Sequence, residues 1–107
     1  MSEMCFACVL RHLSRARKLL LDAKSEKGDT LRWLIAESDL ELHRAESYAS
    51  SGNEVGFRIR KLKMCLEGSF EKGEIPDYEN VREISRIISL LLSLRKSKSE
   101  EFVKQSG

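Results

Sequence analysis

The sequence predicts an all-α fold, a four-helix bundle, on three observations. Apolar residues recur at spacings of three and four along most of the chain, the pattern of amphipathic helices. One proline and six glycines in 107 residues leave room for long regular elements. Those breakers gather near Gly28, near Ser50 to Asn53, and between Gly68 and Pro76, which divides the chain into four segments. With 41% hydrophobic and 34% charged residues, the balance is that of one globular domain over 1–107 with one core.

Helix 1 is expected from about Cys5 to Lys24. Phe6, Val9, Leu13, Ala16, Leu20 and Ala23 mark its apolar face, and Arg11, Arg15, Lys18 and Asp22 its polar one. Gly28 suits a left-handed stop, and Asp29 or Thr30 can cap the next helix. Helix 2, about Leu31 to Ser50, is apolar on two sides. Leu31, Leu34, Ile35, Leu42, Ala45 and Ala49 form one face, and Trp33, Ala36 and Leu40 a nearly opposite one. A helix apolar on two sides is expected to be covered on both. Helix 2 is therefore read as central, in one chain or in a dimer, with Trp33 at a subunit interface or under helix 4.

Ser50-Ser51-Gly52-Asn53 reads as a turn. Helix 3 carries Val55, Ile59, Leu62 and Leu66 on one face, and Gly68 to Pro76 reads as a loop. Asp77 is a good N-cap for helix 4, which is expected at least to Arg95. Its arc of Val81, Ile84, Ile87, Ile88, Leu91 and Leu94 is broad. Ser85, Ser89, Ser93 and Ser97 recur every four residues, as a solvated stripe or a close-packing seam. Residues 96–107 alternate charge and serine and are expected to fray.

Net charge is +2, too weak an excess to favour a nucleic-acid binder. Charge alternates by segment instead. Helices 1 and 3 are basic, and helix 2 and residues 67–83 acidic, which reads as complementarity inside the bundle. The most apolar run, Ile84 to Leu94, contains Arg86 and three serines, so no membrane span is expected. No signal-peptide pattern precedes the three cysteines, and a cytoplasmic setting with reduced thiols is expected.

The most informative stretch is Cys5-Phe-Ala-Cys8-Val-Leu-Arg-His12. Its thiols and imidazole sit three and four residues apart and return to one side of a helix. Cys5 to His12 spans a rise of about 10 Å, so the three converge only if Cys5 leaves regular helix. If helices 1 and 2 turn back near Gly28, His43 stands level with His12. Cys5, Cys8, His12 and His43 would then make a Cys2His2 set of the kind that holds structural zinc. Buried cysteine is ordinary, so core packing leads zinc, and zinc leads redox chemistry.

Glu37 and Glu41 lie one turn apart and could share a divalent ion, although as surface carboxylates they would simply be solvated. Arg58, Arg60, Lys61 and Lys63 form the densest basic run. No P-loop, G-x-G-x-x-G or Ser-His-acid pattern is present. In architecture the chain resembles the all-α MazG-type nucleotide pyrophosphohydrolases, which implies metal-dependent hydrolysis. That family's E-x-x-E and E-x-x-D pairs are not matched: Glu37 and Glu41 have the wrong spacing, and Glu71, Glu74 and Asp77 are interrupted by Gly73 and Pro76. Cys5-x-x-Cys8-x-x-Arg11-His12-Leu13-x-x-Ala16, with Arg32-Trp33-Leu34, resembles the opening of short helical phage and prophage proteins; this implies no activity. The role expected is a non-enzymatic interaction or structural protein, homodimeric, with zinc as its one candidate cofactor. A metal-dependent nucleotide hydrolase and a nucleic-acid binder through helix 3 are the alternatives.

Overall fold

Four amphipathic segments separated by breakers should form four helices, and they do. A computed structural model describes residues 4–49 and 53–106, with side chains as far as Ser97. The helices are α1 (Phe6–Ala23), α2 (Gly28–Tyr48), α3 (Glu54–Lys72) and α4 (Tyr78–Ser106). Consecutive helices lie side by side, and α4 closes against α1. Among the described residues neither diagonal pair, α1 with α3 or α2 with α4, brings Cα atoms within 8 Å.

Cross-helix contacts fix the directions. His12 meets Glu41 while Ala16 meets Ser38, so α1 and α2 are antiparallel. Arg32 meets Phe70 while Arg60 meets Glu46, so α2 and α3 are too. Arg17 meets Ser85 and Lys24 lies over Tyr78, which sets α4 antiparallel to α1. The bundle therefore runs up-down-up-down. Its core is the inward stripe of each helix, with Leu13, Leu42, Leu66 and Leu91 each wholly buried.

Helix ends follow local chemistry. Asn53 caps α3 by accepting a hydrogen bond from the Gly56 N–H at 2.9 Å. Asp77 caps α4, its carboxylate accepting from the Glu79 N–H at 2.9 Å. The rest of the expected turn, residues 50–52, lies outside the described residues. Gly28 does adopt a left-handed φ of 63°, but it opens α2. α1 has already ended at Ala23, so α2 starts three residues before the expected Leu31.

The loop expected at 68–76 shortens to 73–77, because Gly68 stays helical. The stop is Gly73, at φ 67°. There the Gly73 N–H donates to the Phe70 carbonyl and the Glu74 N–H to that of Ser69, which closes the helix end. Arg32 Nε donates to the same Phe70 carbonyl at 3.3 Å, a cation at the negative end of α3. A Cβ at Gly73 would lie 2.7 Å from Arg32 Nη2. Gly73→Ala is thus expected to cost about 1–2 kcal/mol, from the left-handed backbone and the displaced arginine. Gly68→Ala, with open space around it, is expected to gain about 0.5–1 kcal/mol. Urea melts of the two variants would show the opposite signs.

α2 is flanked by α1 on one side and α3 on the other, which is the sense in which it is central. Trp33 does not lie under α4, because α2 and α4 stand on a diagonal. It is 59% exposed. Of the serines on α4, Ser85 accepts from Arg17, while Ser89, Ser93 and Ser97 are exposed, so the row is a solvated stripe. The backbone remains helical past Lys96 to Ser106. No described helix is long and apolar enough to cross a membrane.

Candidate functional site

Cys5 does leave regular helix. It is the N-cap of α1, with an extended backbone at φ −84° and ψ 93°, and its N–H donates to the Tyr48 carbonyl at the end of α2. Cys8 follows on the first turn, which brings the two Cα atoms to 5.3 Å, and the sulfurs are joined in a disulfide. Composition leads one to expect reduced thiols; the spacing on a first turn is what allows the bond. Cys65 is the free cysteine and is exposed.

His12, one turn beyond Cys8, is buried but does not meet His43. Its Nδ1 donates to Glu41 Oε2 at 2.6 Å, so the neighbouring carboxylate fixes the tautomer. The other oxygen of Glu41 accepts from Arg44 at 2.8 Å. The Tyr48 ring stacks on His12, with centroids 5.6 Å apart and planes 2° from parallel. Burial opposes the charge on Glu41, but the hydrogen bonds and charges of His12 and Arg44 outweigh it and hold its carboxyl below the ordinary range. Cys5–Cys8, Tyr48, His12, Glu41 and Arg44 thus form one connected polar seam at the open end of the α1–α2 hairpin.

The four residues expected to bind zinc are not gathered at one point. His43 is exposed on the α3 side of α2, where Lys63 Nζ donates to its Nδ1 at 3.1 Å. Among the described residues no three or more His, Cys, Asp and Glu side chains are close enough together to hold a metal ion. The hairpin pivots nearer residues 26 and 27 than Gly28, which puts Glu41 rather than His43 level with His12. Two residues turn a helix by about 200°, so that small offset moves the partner to the opposite side. The same count, pivoted on the true turn, finds the His12–Glu41 pair.

Of the acidic and basic candidates, Glu41, Arg58, Arg60 and Lys63 are paired inside the fold. Glu41 is committed to His12 and Arg44, so it does not pair with Glu37 as a free two-carboxylate site. Glu71 lies in α3, but Glu74 and Asp77 fall in the connection to α4. Of the basic run, Arg58 is paired with Glu83, and Arg60 and Lys63 with Glu46. Burial raises the Glu46 carboxyl, but Lys63 and Arg60 prevail and hold it low. Lys61 lies over the Phe57 ring at 4.9 Å.

The outer side of α2 is the remaining feature. Trp33 and Leu40 are 59% and 40% exposed, with Ala36 exposed between them. Phe70 of α3, 42% exposed, borders the same surface across a groove lined also by Ile35, Ala36, Asp39, Leu66 and Glu67. Comparison with protein-family models, with curated proteins and with solved structures finds no match.

Proposed function

We propose that this chain is a non-enzymatic interaction protein that works as a homodimer through the outer side of α2. The observation that supports the reading is Trp33. The core is complete without it: Leu34, Ile35, Leu42 and Ala45 bury the inward face of the same helix. A tryptophan 59% exposed, in line with Ala36 and Leu40, leaves most of its surface uncovered within one chain. Large aromatics of this kind are the usual anchors of protein interfaces. The hydrolase reading draws no comparable support, since Glu41 is already engaged by two partners.

The test is the solution mass together with Trp33 fluorescence. A dimer of the 12.3 kDa chain is expected at micromolar concentration, with tryptophan emission moving to shorter wavelength as the dimer forms. Trp33→Ser is expected to weaken it at least about 30-fold, on the order of 2 kcal/mol for an interface anchor. A wild-type chain that stays monomeric up to high concentration, with unchanged emission, overturns the reading.

A further inference from the structure

The charges on either side of the α2 strip are of opposite sign. On the α1 side, Arg11, Arg15 and Lys18 are exposed, and among the described residues none of them takes part in an ion pair. On the α3 side, Glu67 and Glu71 are exposed and likewise have no ion pair. The cations of α3 near them are spoken for: Arg60 and Lys63 hold Glu46. Asp22 of α1 and Glu37 of α2 on the one side, and Arg32 of α2 on the other, where it donates to the Phe70 carbonyl, are the exceptions to the division.

The two rows stand at the same height. Because His12 is level with Glu41 and Ala16 with Ser38, Arg15 and Lys18 lie abreast of residues 35–39 of α2. Because Phe70 is level with Arg32 and Arg60 with Glu46, Glu67 and Glu71 lie abreast of much the same stretch. Ala36 lies within it, and Trp33 and Leu40 flank it.

We infer that two copies of this chain pack α2 against α2 in parallel, about a two-fold axis running along the helix, so that the basic row of each α1 lies beside the acidic row of the partner's α3. The inference rests on the homodimer reading and supplies its geometry. A symmetric dimer of facing surfaces has its axis in the plane of contact. An axis across α2 would lay α1 over α1 and α3 over α3, placing like charges together. An axis along α2 exchanges the two sides, and every unlike row meets its complement. Arginine, lysine and glutamate are long, and unscreened attraction extends over a Debye length of about 8 Å, so the rows need not interlock. Asp39 adds a reason for the acidic side to seek cations. Burial, and then Glu67, push its carboxyl up, and one of its oxygens has no hydrogen-bond partner.

The test uses two full-length double variants, Arg15→Glu with Lys18→Glu and Glu67→Lys with Glu71→Lys, each checked for native helicity by circular dichroism. Each alone is expected to raise the dimer dissociation constant at least about tenfold at 0.15 M salt, because like charges then face each other at both edges. Mixed, the two are expected to form a heterodimer near wild-type strength, since both edges again pair unlike charges. At 1 M salt the differences should shrink. If the wild type dimerises and each double variant alone dimerises as tightly as wild type, as an axis across α2 that already sets like rows together would allow, the axis along α2 is wrong and the dimer reading stands. If the wild type is a monomer, both fall.

Discussion

Glu41→Ala is expected to lower the unfolding free energy by about 2–3 kcal/mol, as leaving a buried hydrogen-bond donor without its carboxylate acceptor does. The substitution leaves the Nδ1–H of a buried His12 without an acceptor and removes the partner of Arg44. The effect is carried mainly by His12, because Glu41 and His12 are 8% and 7% exposed at their side chains whereas Arg44 is 47% exposed and screened by solvent. Glu41→Gln keeps an acceptor for His12 and should cost less. The pH dependence has a definite sign. The folded carboxyl lies below its ordinary 4.5, so the stabilisation from its charge is present above that value. It is lost as pH falls through the lower folded value. Urea melts of wild type and Glu41→Gln should therefore differ at neutral pH and converge in acid. A constant difference down to acid would mean that packing, not charge, sets the role of Glu41.

Leu13→Ala is expected to cost about 3 kcal/mol, within the range for deleting a buried leucine side chain. Leu13 is 0% exposed, on the face of α1 that turns toward α2 and α4, so the deleted atoms leave space that several helices must close. The exposed Leu92→Ala, 44% exposed on the outside of α4, should stay within about 0.5 kcal/mol. Chemical denaturation of the pair separates core from surface directly. A small bundle has only about 5–15 kcal/mol to lose, so Leu13→Ala should also lower the melting temperature visibly. Equal effects from the two leucines would place the core elsewhere.

The helices are legible because their apolar residues keep a 3.6-residue period and because Asp77 is a strong local cap. Gly68 misleads for a physical reason. A glycine inside a helix costs only about 1 kcal/mol against alanine, and packing through Leu62 and Leu66 carries α3 past it. Gly73 is indistinguishable from it by sequence, yet only Gly73 needs the left-handed backbone. The polar seam is half visible. Cys5, Cys8 and His12 come from local spacing, whereas the departure of Cys5 from regular helix enters the sequence reading only as a condition for zinc binding. Their partner comes from another helix, and its identity depends on the hairpin's pivot to within a residue. Glu41 shows in the sequence as a surface carboxylate or as half of an acidic pair with Glu37, since nothing in its local sequence distinguishes a buried acid from an exposed one. Periodicity places Trp33 on a second face of α2; it does not carry as far as the position of α4, across a diagonal.

The empty diagonals of the bundle have a consequence for how the molecule tolerates sequence change. Among the described residues α1 and α3, and likewise α2 and α4, bring no Cα atoms within 8 Å, so an altered side chain is felt first by the two flanking helices. Compensation between substitutions should therefore run around the ring of helices and not across it, and distant, unshared sites combine additively. The bundle is in this respect a closed chain of four pairwise joints. The outer surfaces of α2 and α4 can therefore change independently of each other.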